Sequence, residues 1–306
     1  MQHTPRRTVS VLTGAVLALG LLAGCGDESR DAGDRPSTPA STPSAADTTT
    51  DATTEPTSGP TDDGMGEGAA VPVYYVGDTP GGDRLYREFT RVTGVERLVG
   101  AAAAVTQGDP VDPDYRTLWP GGRFTAVTLE ADAIVVEVPE ESWLEQGRLD
   151  RAQAKLAVQQ LVYTLQGVVG KRLPVRVQYD GRPASTLLGV TVGAGLKATP
   201  ELEVLAFVNI TEPAEGTGVS DRFVAEGRAS SFEATVIWEM QDSAGTVVLE
   251  GFAQAEGYMD KLYPWRTEVD ASSLPPGDYT FVARTDDPSD GEGPGPTVDT
   301  KRITVQ

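Results

Sequence analysis

Apolar residues are distributed along this chain in four regimes, and each predicts a different kind of structure. Val9 to Leu22 is an almost unbroken apolar run. Gly26 to Ala70 has no aromatic residue and almost nothing apolar to bury. Its Ser37-Thr38-Pro39, Ser41-Thr42-Pro43 and Asp47-Thr48-Thr49-Thr50 segments are the composition of a disordered segment. From Val71 short apolar runs mix with two stretches of helical period. From about Leu202 the helical period disappears, and short strand-like segments separated by turn residues take over.

In the third regime Val71 to Val76 reads as a strand, closed by turn material from Gly77 to Gly82, and Leu85 to Val92 as a second strand. Thr93 and Glu96 have the spacing of a capping box, with Val95, Leu98, Val99 and Ala102 following on one helical face. That helix is expected to end near Gly108-Asp109-Pro110. Phe124 to Leu129 and Ile134 to Val138 read as a hairpin turning at Glu130-Ala131-Asp132. A second helix, about Leu149 to Val168, carries Ala154, Val158, Leu161, Val162, Leu165 and Val169 on one side; Gln153, Gln159, Gln160 and Gln166 lie off that stripe. Val175 to Tyr179 returns as a strand. The order β-β-α-β-β-α-β predicts an α+β domain, a mixed sheet with two helices, over residues 71–197.

Residues 202–306 offer seven strands: Val204–Ile210, Phe223–Gly227, Glu233–Gln241, Thr246–Ala255, Trp265–Val269, Asp278–Arg284 and Val298–Val305. That number in about 100 residues predicts an all-β immunoglobulin-like sandwich. Leu274 to Phe281 reads as a tyrosine corner, with Tyr279 bonding back to an upstream backbone group. Gly193 to Pro200, between the halves, reads equally as a hinge or as a packed connector.

Both halves carry a family resemblance. Val71 to Val76, the Ala-rich helix, Asp114 to Pro120 and Gln160 to Leu165 resemble the GerMN domain of spore-germination and envelope lipoproteins of Gram-positive bacteria. Ile210 to Gly216, Ala225 to Ala229, Phe232 to Ala234, Leu274 to Tyr279, Asp286 to Asp290 and Asp299 to Lys301 resemble the immunoglobulin-like module of bacterial spore germination proteins. The resemblance implies a fold and a location more than an activity, because fold does not fix function.

The first regime has its own logic. Arg6 and Arg7, the apolar run and the small residues before Cys25 have the layout of a secretory signal peptide over residues 1–24. The run is too short for a membrane span, which needs about 20 apolar residues. Leu22-Ala23-Gly24-Cys25 resembles the lipobox of bacterial lipoproteins. That family implies a diacylglycerol on the Cys25 sulfur, cleavage before it, and a protein held on the outer face of the cell membrane. Residues 25–70 would then be a tether, whose length as a flexible coil gives a reach of about 35–40 Å. Ser/Thr with Pro is also the composition of O-glycosylated stalks.

Composition narrows the functions. The chain has 306 residues and a formal charge of -20, two units lower once Arg6 and Arg7 are removed. Such a surface excludes nucleic-acid binding, which depends on Lys and Arg contacts. Cys25 is the single cysteine, so no intramolecular disulfide forms, and a lipidated sulfur cannot be a nucleophile. The single histidine, His3, lies in the expected signal peptide. Histidine triads and histidine-ligated zinc are therefore excluded from the mature chain.

Few constellations remain. Asp286, Asp287, Asp290 and Glu292 crowd one turn, a weak calcium candidate without the spacing of a calcium-binding helix-loop-helix. Glu137, Glu140 and Glu141 sit at a strand end, where a glycan hydrolase would need two carboxylates held about 5–10 Å apart. Tyr258, Tyr263 and Trp265 form an aromatic stretch suited to a protein or glycan contact, or to capping the sandwich. Trp119 and Trp143 are further aromatic candidates. Lys171 and Arg172 read as charges complementing a helix C-terminus. No cofactor is implied. The combined expectation is a non-enzymatic protein, anchored to the membrane through Cys25, whose two domains bind an envelope protein or peptidoglycan. A carboxylate wall glycan hydrolase and a self-associating homo-oligomer are the alternatives.

Overall fold

The computed structural model describes residues 68–93, 96–287 and 291–306, all within one compact unit. Cys25 and the Thr/Ser/Pro segment lie outside the described residues.

The first half contains two sheets. Strands β1 (Gly68–Gly77) and β2 (Arg84–Thr93) form a hairpin in continuous register from Gly68↔Thr93 to Gly77↔Arg84. Thr79 closes its turn: the Thr79 hydroxyl donates to the Gly82 carbonyl at 2.6 Å. The pairing runs through Thr93, so Thr93 is the last residue of the strand and not a helix cap. Helix α1 (Arg97–Gln107) starts instead at Glu96, with no side-chain cap. It stops at Gly108, in the left-handed conformation at φ 54°. The short β3 (Tyr115–Arg116) adds to the other side of β1, giving the order β2-β1-β3.

The second sheet is β4 (Ala126–Leu129), β5 (Ile134–Glu137), β6 (Val175–Tyr179) and β7 (Arg182–Pro183), in that spatial order. Strands β4 and β5 form the expected hairpin; β5 and β6 are parallel and are joined through helix α2 (Arg151–Val169). The mixed sheet is thus split in two. Each sheet is short, and α1 and α2 pack against β1.

Asp150 caps α2, accepting the backbone N–H groups of Ala152 and Gln153 at 2.8 Å each, while the Gln153 side chain accepts the Asp150 N–H. This is a full capping box that the apolar stripe did not signal. The helix is buried on every face from Leu156 to Gln166. The glutamines off the stripe therefore face backbone rather than water. Gln160 accepts the Leu118 N–H and donates to the Tyr74 carbonyl, both at 3.1 Å. Gln159 accepts the Thr199 N–H at 2.9 Å and donates to the Lys197 carbonyl at 3.1 Å. Buried amides are tolerated because each satisfies backbone groups that would otherwise be orphaned. Gly167 lies where the helix meets β1: a Cβ there would stand 3.0 Å from the Pro72 ring. The hairpin β8 (Thr186–Leu187) and β9 (Val190–Thr191) completes this half.

The second half is a sandwich. One sheet has the order β10-β12-β15, from β10 (Val208–Glu212), β12 (Arg222–Ala229) and β15 (Tyr263–Asp270). The other has the order β11-β17-β16-β13-β14, from β11 (Thr217–Val219), β13 (Thr235–Gln241), β14 (Val247–Gln254), β16 (Gly277–Thr285) and β17 (Val298–Val305). All seven expected strands are present, but the first begins at Val208 rather than Val204, because Glu201–Val204 forms a helical turn. Strand β11, three residues long and joined to β17 in parallel, is not foreseen from the pattern of residues. Alternation sends Val236, Trp238 and Met240 inward against Phe281 and Ala283. The tyrosine corner is formed: the Tyr279 hydroxyl donates to the Pro275 carbonyl at 2.9 Å.

Candidate functional site

The connector between the halves is packed rather than hinged. Leu196 exchanges both backbone hydrogen bonds with Val175 at 2.8 Å, and the Tyr163 hydroxyl donates to the Thr199 carbonyl at 2.5 Å. The Ala206 N–H donates to the Leu85 carbonyl, so the incoming chain adds to the edge of β2. Arg84 donates to the Leu202 and Leu205 carbonyls at 2.8 and 3.1 Å and lies over the Phe207 ring. Tyr74, Val76, Leu85, Leu156, Tyr163, Leu205 and Leu262 form a separate buried cluster there. Leu262 comes from the loop between β14 and β15, so the sandwich plugs a side chain into the first domain.

Beside that plug is a buried ion cluster drawn from both halves. The Lys301 ammonium donates to Asp112 Oδ2 at 2.5 Å, to the Tyr115 hydroxyl at 2.8 Å and to Asp299 Oδ1 at 3.0 Å. It also lies 4.5 Å from the Tyr115 ring centroid. Asp299 accepts in addition the Tyr115 hydroxyl at 2.7 Å, the Ile210 N–H at 2.6 Å and the Asn209 amide at 3.2 Å. The Lys301, Asp112 and Asp299 side chains are at most 5 % exposed. Burial alone would lower the lysine pKa, but Asp299 and Asp112 overrule it and hold the ammonium above the ordinary lysine range. Burial, reinforced by Asp299, pushes the Tyr115 phenol well above its usual range. Tyr86 stacks on Tyr115 at 5.0 Å and donates to the Val298 carbonyl at 2.9 Å, and Thr300 donates to Asp114 at 2.7 Å. The alternating pattern of Val298 to Val305 gave no warning that an inward position would be a lysine; its partners lie 2 to 189 residues away.

The residues named from the sequence are dispersed by the fold. Trp265 is 2 % exposed and belongs to the sandwich core, so it cannot offer a binding surface. It takes an inward position on β15 opposite Gly227, where a Cβ would lie 2.9 Å from the Trp265 indole nitrogen. Tyr263 is half-buried and donates to Asp260 at 2.8 Å. Tyr258 is exposed. It meets Phe232, from the loop before β13, edge to face at 6.4 Å, and Met259 beside it is 73 % exposed. Trp119 and Trp143 are buried with Phe124 in an aromatic trio. Glu137 accepts the Gly181 N–H at 3.0 Å, while Glu140 and Glu141 are exposed beside a single 3-10 turn. Arg172 stays against the end of α2, donating to Gln166 at 3.3 Å and lying over the Tyr163 ring, and also reaches Glu201 at 3.2 Å. Arg172, Glu201 and Tyr163, with Gln166 and Lys197, line a shallow open cleft. Asp286 and Asp287 are half-buried, Glu292 is exposed, and Asp290 lies outside the described residues. Among the described residues no cluster of His, Cys, Asp or Glu has an arrangement that could hold a metal ion. No helix among them is long and apolar enough to cross a membrane.

Two family models match the chain. One, for a sporulation and spore germination domain called Germane, covers residues 72–185; the other, for the immunoglobulin-like domain of bacterial spore germination, covers residues 207–292. No curated protein matches. Among solved structures, the tandem GerMN domains of the sporulation protein GerM from Bacillus subtilis are 13 % identical with a TM-score of 0.35, over 67 % of this chain and 62 % of that one. The chain thus spans under two thirds of that structure's length. CopC from Methylosinus trichosporium OB3b is 21 % identical with a TM-score of 0.23, over 32 % of this chain and 93 % of its own. An endo-beta-1,4-mannanase from Thermotoga petrophila is 13 % identical with a TM-score of 0.26, over 56 % of this chain and 38 % of its own.

Proposed function

Taking as premise that this chain carries a GerMN-type domain followed by the immunoglobulin-like domain of bacterial spore germination, we propose that it is a non-enzymatic, extracytoplasmic binding protein held on the cell membrane through Cys25. The packed junction is the observation that supports this reading most directly. Interdomain interfaces within a chain are commonly small and mobile. Here a leucine plug, an added β-edge and a buried ion cluster join two folds into one body. The strongly perturbed groups of that cluster, Lys301 and Tyr115, are spent on Asp112 and Asp299. None is aimed into a cleft where it could serve as an acid or base. A rigid body on a tether of about 45 residues presents a fixed surface at a variable height above a membrane, which suits docking to an envelope protein or to wall polymer.

Crosslinking in intact cells tests the reading, with the wild type beside Cys25→Ala. The expected result is a defined envelope partner captured by the wild type, and release of Cys25→Ala from the membrane fraction. Release of peptidoglycan fragments by purified protein, abolished in Glu137→Gln or Glu140→Gln, would replace the binding role with hydrolysis.

A further inference from the structure

We propose that the apolar patch formed by Phe232, Tyr258 and Met259 docks a cationic polypeptide segment, one that presents an apolar side chain flanked by Lys or Arg. The inference rests on the binding role above and names its surface and the chemistry of its partner. The three side chains are 46, 39 and 73 % exposed, whereas most large apolar side chains among the described residues fill cores. Clustered exposed apolar groups rimmed by polar ones mark contact sites.

The patch stands on loops that are fixed to one another. The Met259 N–H donates to the Ser230 hydroxyl at 3.0 Å, and the Asp286 N–H to the Ser231 hydroxyl at 2.8 Å. Gln254 donates to the Glu233 carbonyl at 2.6 Å. Leu262, three residues beyond Met259, is anchored in the interdomain cluster. Glu233, Ala234 and Met259 hold left-handed backbone at φ 51°, 60° and 83°, a conformation that side-chain-bearing residues rarely adopt. A surface held this way loses little conformational entropy on binding.

Charge selects the partner. Glu233, Glu256 and Asp260 each lie within two residues of a patch residue, against one cation, Lys261, at the same spacing, and Asp286 is tied to the patch through Ser231. The positive charge nearest along the chain, Lys261, lies 5.1 Å from the Tyr263 ring centroid. An acidic rim steers cations inward, and exposed Phe and Tyr rings accept Lys and Arg over their faces. The same rim repels anionic wall polymer. A second copy of the chain would bring two acidic rims together, which opposes self-association through this face.

The test places a photoreactive benzophenone residue at Met259 in the full-length protein, in its native membranes, with the same residue at exposed Leu129 as control. Crosslinked peptides are identified by mass spectrometry. The expected result is a segment of another protein that is net basic and carries an apolar side chain at the crosslink. Its capture falls at least tenfold when Glu233, Glu256 and Asp260 are changed together to Lys, in a variant whose melting temperature matches the wild type. Crosslinks to a second copy, to a glycan or to a neutral or acidic peptide overturn the proposal, as does a yield no greater than at Leu129. If Phe232→Ser with Tyr258→Ser still captures the partner fully, the binding role stands and the patch assignment fails. Capture of no partner by any route removes both.

Discussion

Lys301 is an ammonium taken out of water, and its position is tolerable because three oxygens and one ring face surround it. Removing it leaves Asp112 and Asp299 buried without a counter-charge, which costs about 3–5 kcal/mol for a broken buried pair. Lys301→Met is therefore expected to lose about that much stability in urea unfolding; a loss within experimental error of zero would show that the cluster does not hold the junction. The pH dependence follows from the raised lysine pKa. Its contribution is complete below the ordinary value of 10.5 and is lost as pH rises through the higher folded value. Alkaline melting curves are expected to fall more steeply above about pH 10.5 for the wild type than for Lys301→Met, which has no proton to release there. None of this was legible in the sequence, where Lys301 is one of 25 cations in an acidic chain. Trp265 misled in the opposite direction: adjacency to Tyr258 and Tyr263 suggested a shared surface, but strand alternation turns it inward.

Among the elements, helix α2 shows how far periodicity reaches. Its apolar stripe and approximate ends were readable from spacing. The burial of its other faces was not, because Gln159, Gln160 and Gln166 look like solvent-facing residues until the backbone groups they satisfy are in place. Its start is set by Asp150 rather than by the apolar pattern. Asp150→Ala removes a side chain that accepts two backbone N–H groups, and such caps contribute about 0.5–2 kcal/mol. Chemical denaturation is expected to show a loss in that range, with the helix still formed by far-ultraviolet circular dichroism. The α1 cap failed as a sequence signal for a competing reason. Ten-residue register between β1 and β2 carries Thr93 into a ladder, and a residue cannot be both strand and cap.

The whole molecule should unfold as one. Interdomain surfaces in most chains allow separate transitions, but here the plug, the β-edge and the ion cluster all cross the junction. Calorimetry on residues 68–306 is expected to give a single transition, and two resolved transitions in the wild type would contradict the packed junction. Leu262→Ala opens a cavity inside the plug, at about 2–5 kcal/mol for a buried leucine. It is expected to lower the melting temperature although it lies in a surface loop. Its neighbours Tyr258 and Met259 should tolerate serine at almost no cost in stability, because they are exposed.

Local pattern along the chain set the order of the main elements, the α+β half followed by a sandwich, and the tyrosine corner. These depend on local periodicity, turn residues and composition, which are properties of neighbours along the chain. Long-range packing settled that the first half has two sheets, that Gly193 to Pro200 is packed, and that Lys301 finds Asp112. It likewise decided that Phe232 meets Tyr258 while Trp265 disappears into the core. These depend on contacts between residues tens to hundreds of positions apart, and on which side of a strand each faces once its partners fix the register.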